Sequence, residues 1–285
     1  MKLFNGTKVA NKILKELAAN IKKEKLRLAL AVILVGDNPS SKLYVSLKKI
    51  AAAKVGIDFF EFYFPSGARE DDIIVKIREL NADKKISGII VQLPLPAVFD
   101  ADKVIGTVVP QKDADGFHKN NIRALEKGED YSAPVLPSAI LLALKDAFQK
   151  GISARQILAL VNSDFFGQTL KTVLEREGAK VEYIVRNVCI IKGAEKNVKF
   201  ADVLISACGC PKFIKADMIK EGAVLIDAGI TRYSDGRVVG DFDRENVAQK
   251  ASYLTPVPGG IGPLTVALLL RNVYLAAKAK PRSMN

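Results

Sequence analysis

With 285 residues, 49% of them hydrophobic, and a formal charge of +12, the chain has enough length and apolar content for two modest α/β domains and too much for a disordered protein. Its longest apolar run, Leu28 to Val35, is far shorter than the ~20 residues of a spanning helix, and MKLFNGTKVANK contains no signal-peptide core, so a cytoplasmic location without a membrane partner is expected. Cys189, Cys208 and Cys210 form no CxxC and His118 is the only histidine, which argues against a disulfide framework and against a metal site.

Asn11 to Arg27 reads as an amphipathic helix in which Ile13, Leu14, Leu17 and Ile21 share one face and lysines occupy the rest. The positive charge concentrates there as a solvated helix face, so no nucleic-acid partner is expected, and the same field suits an acidic small molecule. Next come a strand (LALAVILV), a turn (GDNPS), a helix (SKLYVSLKKIAAAKV), Gly56 as its stop and a second strand (DFFEFYF), together a βαβ unit. A helix over REDDIIVKIREL leads into the buried strand SGIIVQ, which LPLP ends because proline cannot continue a ladder. This alternation predicts a parallel sheet covered on both faces.

The charged segment PQKDADGFHKNN reads as a loop, and a crossover helix starts near Pro137. A second series of strands follows: QILALVN, AKVEYIV, ADVLISA and GAVLIDAG. Its opening, from Gln156 to Arg186, has the strand, turn, helix and strand of a Rossmann unit. The expected organisation is α/β in two domains with a cleft between them. Residues 1–133 form an N-terminal parallel-sheet domain and residues 134–263 a Rossmann-type dinucleotide-binding domain. A closing helix over 264–285 packs back on the first.

Ligands of open α/β sheets bind beyond the carboxyl ends of the strands, where Tyr44, Lys48 and Gln92 should converge. Tyr44 and Lys48 share a face near the amino end of their helix, where the dipole and burial both lower a lysine pKa. An ordinary exposed Tyr/Lys pair fits the same spacing. Asp113 and Asp115 lie beside Gly116, in a loop where a carboxylate either accepts hydrogen bonds from an amino-substituted ring or caps a turn. His118 has neither serine nor cysteine partner motif and receives no role. Thr255 to Thr265 (TPVPGGIGPLT) combines fixed proline angles with glycines open to close approach, either by a ligand or by a tight structural turn.

Taken in order, VGDNPSSKLYVSLKK, GIIVQLPLP, KDADGFH, IKEGAVLIDAGI, VVGD and TPVPGGIGPLT resemble the methylenetetrahydrofolate dehydrogenase/cyclohydrolase family over nearly the whole chain. The resemblance implies oxidation of 5,10-methylenetetrahydrofolate with a nicotinamide cofactor, then hydrolysis of the methenyl product to 10-formyltetrahydrofolate, in one-carbon metabolism feeding purine biosynthesis. It implies Lys48 as the catalytic lysine with Gln92 beside it, Tyr44 against the folate, Asp115 as the pterin-binding carboxylate and Pro258, Gly259 and Gly260 as a substrate-contacting turn. It further implies a homodimer acting on tetrahydrofolate derivatives that carry polyglutamate tails.

The chain departs from the family where the cofactor turn usually reads like GRSxxVGxP. Here it is VNSDFFGQT, so Val161 and Asn162 replace a glycine and a basic residue, while Ser163 and Gly167 remain. A side chain at Val161 is expected to crowd a pyrophosphate. The family's PCTPxG is also altered, to PVLPSA at Pro134 to Ala139. Arg186 follows the second Rossmann strand, where a basic residue favours NADP over NAD. Ile230 is a further cofactor candidate by alignment. The rival readings are a cyclohydrolase-only relative, a shikimate- or amino-acid-type dehydrogenase, and a basic nucleic-acid module.

Overall fold

The computed structural model describes residues 1–128, 133–186, 189 and 195–278. Its first half comprises β1 (Lys2–Leu3), α1 (Gly6–Glu24), β2 (Leu28–Val35), α2 (Pro39–Val55), β3 (Ile57–Phe64), α3 (Glu70–Ala82), β4 (Gly88–Val91), α4 (Ala101–Gly106), α5 (Lys119–Glu126) and α6 (Val135–Ala147). The second half comprises β5 (Gln156–Val161), α7 (Asp164–Glu175), β6 (Lys180–Val185), α8 (Glu195–Phe200), β7 (Val203–Ala207), β8 (Val224–Asp227), β9 (Thr231–Arg232), β10 (Val238–Val239), α9 (Arg244–Val247), β11 (Tyr253–Leu254) and α10 (Ile261–Lys278). These elements divide into two compact units, one of residues 1–9 and 136–265, the other of residues 10–135 and 266 onward.

The unit containing Lys48 is built on a three-stranded parallel sheet in the order β3-β2-β4. Every residue of the central strand β2 is buried, which is why LALAVILV is continuous rather than alternating. On one face Ala29, Ala31, Ile33 and Val35 cluster with Ile73, Ile77 and Leu80 of α3. The Asn38 side chain starts α2 by accepting from the backbone N–H groups of Ser40 and Ser41 at 2.9 and 3.1 Å. Gly56 ends that helix in the left-handed region at φ 81°, a conformation that costs glycine little. The close approach of α10 to β4 requires Gly88, because a Cβ there would stand 2.9 Å from Cγ2 of Val273.

The other unit carries a six-stranded parallel sheet in the order β1-β11-β8-β7-β5-β6. Leu158, Leu160, Leu204, Leu225, Phe242 and Leu254 fill one side of it. The N-terminal strand departs from the expected organisation, in which residues 1–133 stay together: Lys2 and Leu3 pair with Tyr253 and Leu254 in this second sheet. A two-residue strand has no periodicity to read, so its partner is fixed by long-range pairing and by Phe4, buried with its ring 6.3 Å from that of Tyr253.

Two further expectations change. The segment from Pro110 to Asn121 is more ordered than a loop: Pro110–Lys112 forms a 3-10 turn, and half-buried His118 caps α5 by accepting from the Asn120 N–H at 3.0 Å. A disulfide is also present, between Cys189 and Cys210, with Cα atoms 5.3 Å apart, while Cys208 is free. Spacing does not reveal this bond. The two cysteines lie 21 residues apart and meet only because β6 and β7, which lead to them, flank the same strand β5.

Candidate functional site

The short turn after β2 leads directly into α2, and Gln92 leaves β4 with its N–H donated to the carbonyl of Ile33 on β2 at 2.8 Å. Side chains from α2 and from the end of β4 therefore meet at the carboxyl edge of the sheet. There the Lys48 ammonium donates to Oε1 of Gln92 at 2.7 Å, and the Gln92 amide donates to the Leu93 carbonyl at 2.7 Å. The second bond holds the amide with its oxygen toward the lysine. Tyr44, one turn earlier on α2, is half-buried, and burial pushes its phenol above the usual value.

Burial also lowers the Lys48 pKa, and the negative charge of Asp115 partly offsets that effect. The helix dipole has little part in it, contrary to expectation: Lys48 lies in the middle of the 17-residue α2, beyond the terminal turn over which the dipole acts. Asp115 is the reciprocal case. Burial raises its carboxyl to about 6, the Lys48 charge opposes that rise, and the Asp113 charge adds to it. A desolvated ammonium beside a carboxylate that titrates near neutrality is the kind of pair that moves protons.

The two acids that the sequence left open between ligand binding and turn formation have separate surroundings. Asp113 is a turn-former, accepting from the N–H groups of Gly116 and His118 at 3.0 and 2.7 Å and from the Asn121 amide at 2.9 Å. Ala114 anchors the same loop to β4 by donating to the Ile89 carbonyl at 3.1 Å. Lys112, which sequence reasoning passed over, donates to the carbonyls of Leu80, Asn81 and Asp83 at 2.7–2.9 Å and so ties the loop to the end of α3. Asp115, held between these anchors, is the acid whose charge acts on Lys48. Asp113→Ala leaves three donors without their acceptor and should lower unfolding free energy by about 3 kcal/mol, measured by denaturant titration. A change under about 0.5 kcal/mol would remove Asp113 from this anchoring role.

A surface groove of about 560 Å³ lies along α2 and β3 between Asp37, Lys42, Lys49, Glu61 and Tyr63. Its Asp37 already accepts from Lys42 and Tyr63 at 2.6 and 3.1 Å. None of Tyr44, Lys48, Gln92 or Asp115 lines it.

In the six-stranded unit, β5, α7 and β6 form the expected strand, turn, helix and strand, with β5 paired in parallel to both β6 and β7. Val161 is fully buried and stands in register with Val185 and Ala207. Its side chain is buried at the end of β5, directly before the exposed turn. Asn162 and Ser163 are exposed, and Ser163 caps α7 by accepting from the Phe166 N–H at 3.3 Å. Gly167 is buried beneath Tyr183, whose ring occupies the space a Cβ would need. Arg186 donates its N–H to the Val161 carbonyl at 2.7 Å, and its charge reaches the Cys208 thiol. A helix N-terminus after the first strand, with a basic residue after the second, is the layout that suits a phosphate-bearing dinucleotide.

Half-buried Ile230 follows β8 and lies 3.9 Å from where a Cβ on Gly262 would stand. Pro258, Gly259 and Gly260 form a turn against the start of α1, where the Thr7 N–H donates to the Gly259 carbonyl at 3.2 Å. Gly259 adopts φ 100°, and a Cβ at Gly260 would stand 2.5 Å from the Pro256 carbonyl oxygen. Both glycines are thus demanded by the turn itself.

Sequence reasoning assigned no role to two buried acids at the edge of this sheet. Asp227 accepts from the N–H groups of Gly229, Asp241 and Phe242 at 3.1 Å each. Burial, with the neighbouring Asp241, raises its carboxyl to about 8. Asp241 accepts from the Ser206 hydroxyl at 2.6 Å and from the N–H groups of Cys208 and Cys210 at 2.9 and 2.7 Å. The segments IDAG and VVGD contain both acids, and an acid closing the apolar run VLID was the available signal for Asp227.

Comparison with known proteins agrees with this layout. Residues 4–115 match the catalytic domain of tetrahydrofolate dehydrogenase/cyclohydrolase, and residues 134–281 match the NAD(P)-binding domain of the same family. The bifunctional protein FolD of Nautilia profundicola is 39% identical over 283 residues, covering 98% of each chain. The crystal structure of the bifunctional methylenetetrahydrofolate dehydrogenase/cyclohydrolase FolD from Campylobacter jejuni is 35% identical, with a TM-score of 0.89 and coverage of 98% of this chain and 99% of that one. The Trypanosoma brucei enzyme, solved with NADP cofactor and an inhibitor, is 31% identical with a TM-score of 0.89 over 97% of both chains. Edge-of-sheet lysine and glutamine, a half-buried acid whose charge acts on the lysine, a Rossmann-type unit and matches of this extent together place the chain in the tetrahydrofolate dehydrogenase/cyclohydrolase family.

Proposed function

We propose that the chain oxidises 5,10-methylenetetrahydrofolate to the methenyl compound with NADP and hydrolyses that product to 10-formyltetrahydrofolate. The observation that carries the reading is the Lys48 to Gln92 hydrogen bond of 2.7 Å beside a carboxylate raised to about 6. Asp115 accepts from the pterin ring, and Tyr44 lays its ring against the folate. Gln92 orients the Lys48 ammonium, which holds the folate nitrogens in place and steers a water proton during hydrolysis. Pro258, Gly259 and Gly260 carry the family pattern of substrate contact.

Asn162, Ser163 and Gly167, with Val161 beneath them, form the turn assigned to the dinucleotide, with Arg186 and Ile230 as further contacts. Held there, NADP would supply the hydride acceptor for the oxidation. Arg186 is assigned to the extra phosphate of NADP, which makes NADP the preferred cofactor and NAD the poorer one. The chain is further assigned to the cytoplasm as a homodimer acting on polyglutamylated folates, whose acidic tails suit the formal charge of +12. Among the described residues no helix is long and apolar enough to cross a membrane.

The test is reduced-nicotinamide formation from 5,10-methylenetetrahydrofolate, with NADP and NAD run in parallel and methenyl hydrolysis followed separately. Reduction with preference for NADP is expected. Arg186→Ala should weaken NADP by roughly tenfold and NAD by much less. Equal losses for both cofactors would take Arg186 out of the phosphate contact, and hydrolysis without reduction would leave only the cyclohydrolase.

A further inference from the structure

We infer that Tyr183 is a positioning residue for the dinucleotide: its hydroxyl holds the Asp164 carboxylate aside from the helix end that receives the pyrophosphate. This assignment rests on the NADP reading above and adds to it two side chains that the family's cofactor turn does not specify.

Asp164 is the first residue of α7 and is exposed. A carboxylate at that place suits the helix alone, because the first turn carries the positive end of the dipole. It does not suit a helix that also receives phosphate, since the two anions then draw on the same positive end and repel one another. The local sequence sharpens the contest. Asn162, two positions earlier, stands where the family's turn has a basic residue, so the turn carries an acid and lacks the cation that would offset it.

Tyr183 is placed to relieve it. It lies on β6 in register with Ala159 of β5, and its half-buried ring packs over Gly167, in the space a Cβ would need. The phenol therefore reaches the start of α7 from the strand side and donates to Oδ1 of Asp164 at 2.8 Å. That bond is the main reason the Tyr183 phenol is raised above its usual value, so the hydroxyl keeps its proton and remains a donor across the neutral range. Gly167 and Tyr183 thus act together: the missing side chain admits the ring, and the ring carries the hydroxyl to Asp164. The carboxylate is drawn toward β6. Without the bond it is free to turn over the helix end, where the pyrophosphate common to NADP and NAD would meet it.

The experiment titrates the full chain with NADP and with NAD by calorimetry, at low salt and at about 1 M salt, and repeats this for Tyr183→Phe, Asp164→Asn and the double variant. Phenylalanine keeps the ring over Gly167, and thermal melts verify that each variant is folded. At low salt Tyr183→Phe should weaken both dinucleotides by roughly fivefold, the size of an exposed charge interaction. Their ratio should stay the same, whereas Arg186→Ala should change it. High salt should shrink the loss, because exposed charges are screened within about 3 Å at 1 M. Asp164→Asn should bind at least as tightly as the parent, and Tyr183→Phe added to it should cost nothing further. Parent-like binding by Tyr183→Phe, or the same loss with and without Asp164→Asn, would overturn the inference while leaving the enzyme assignment intact. Absence of dinucleotide binding by the parent would overturn the NADP reading and the inference together.

Discussion

Lys48→Met should lower both oxidation and hydrolysis by at least about a hundredfold while the chain stays folded. Methionine keeps the length of the side chain and its packing, so what disappears is the ammonium that donates to Gln92. The stability sign follows from the direction of the lysine shift. A lysine whose folded pKa is lowered opposes folding at every pH where the unfolded chain holds that proton, and the penalty fades only as pH rises toward the unfolded value. Removing the charge removes the penalty, so the thermal midpoint should not fall on its account. Asp115 loses the charge that restrains its own pKa, and its carboxyl should titrate at higher pH in the variant. Circular dichroism melts and the two assays check this together; near-wild-type turnover in a folded variant would end the catalytic assignment.

The second large effect concerns Asp115 itself. Asp115→Asn should raise the KM for folate by about tenfold to a hundredfold in both reactions, the loss that goes with a charge-assisted hydrogen bond. In the unaltered protein the carboxyl titrates at about 6, so kcat/KM should decline as pH falls through that value, and this limb should vanish in the variant. Stability should move differently. Between its ordinary value near 4 and about 6, the folded state holds this proton more tightly than the unfolded chain, so ionising Asp115 works against folding as pH rises across that window. The asparagine variant should therefore be at least as stable as the parent at pH 7. Weak folate binding in a chain that melts no earlier is the mark of a residue placed for its ligand. A variant that melts markedly earlier, with an unchanged pH profile, would assign Asp115 to structure instead.

Much of this was legible in residue patterns. The run LALAVILV, the proline stop after SGIIVQ and the strand series from Gln156 onward are strong local signals, because fully buried parallel strands have continuous apolar runs. Lys48 and Gln92 could be paired in advance because both follow strands of one parallel sheet. Other features depend on contacts that no window of sequence contains. Asp113 and Asp115 look alike in KDADG, and only the donors that surround Asp113 separate the turn anchor from the acid whose charge acts on Lys48. The burial of Val161 was not readable from VNSDFF, because it is strand register that places the residue between Val185 and Ala207. The disulfide was invisible for the same reason: sheet order, not spacing, brings Cys189 to Cys210.

The division of the chain bears on how the protein is made. Each compact unit is assembled from two separated stretches: 1–9 joins 136–265, and 10–135 joins the segment from 266 onward. The Asn272 amide of α10 donates to the carbonyls of Ala114 and Ala133 at 3.0 Å each, and Lys2 and Leu3 wait for Tyr253 and Leu254. During synthesis from the amino end, the lysine-bearing unit is nearly all translated by Val135 yet stays open along the surface that α10 will cover. It is completed only after the last helix has cleared the ribosome tunnel. Nascent chains halted within residues 136–265 should therefore display an uncovered β4, and a fragment ending at Val135 should not behave as an independent folding unit.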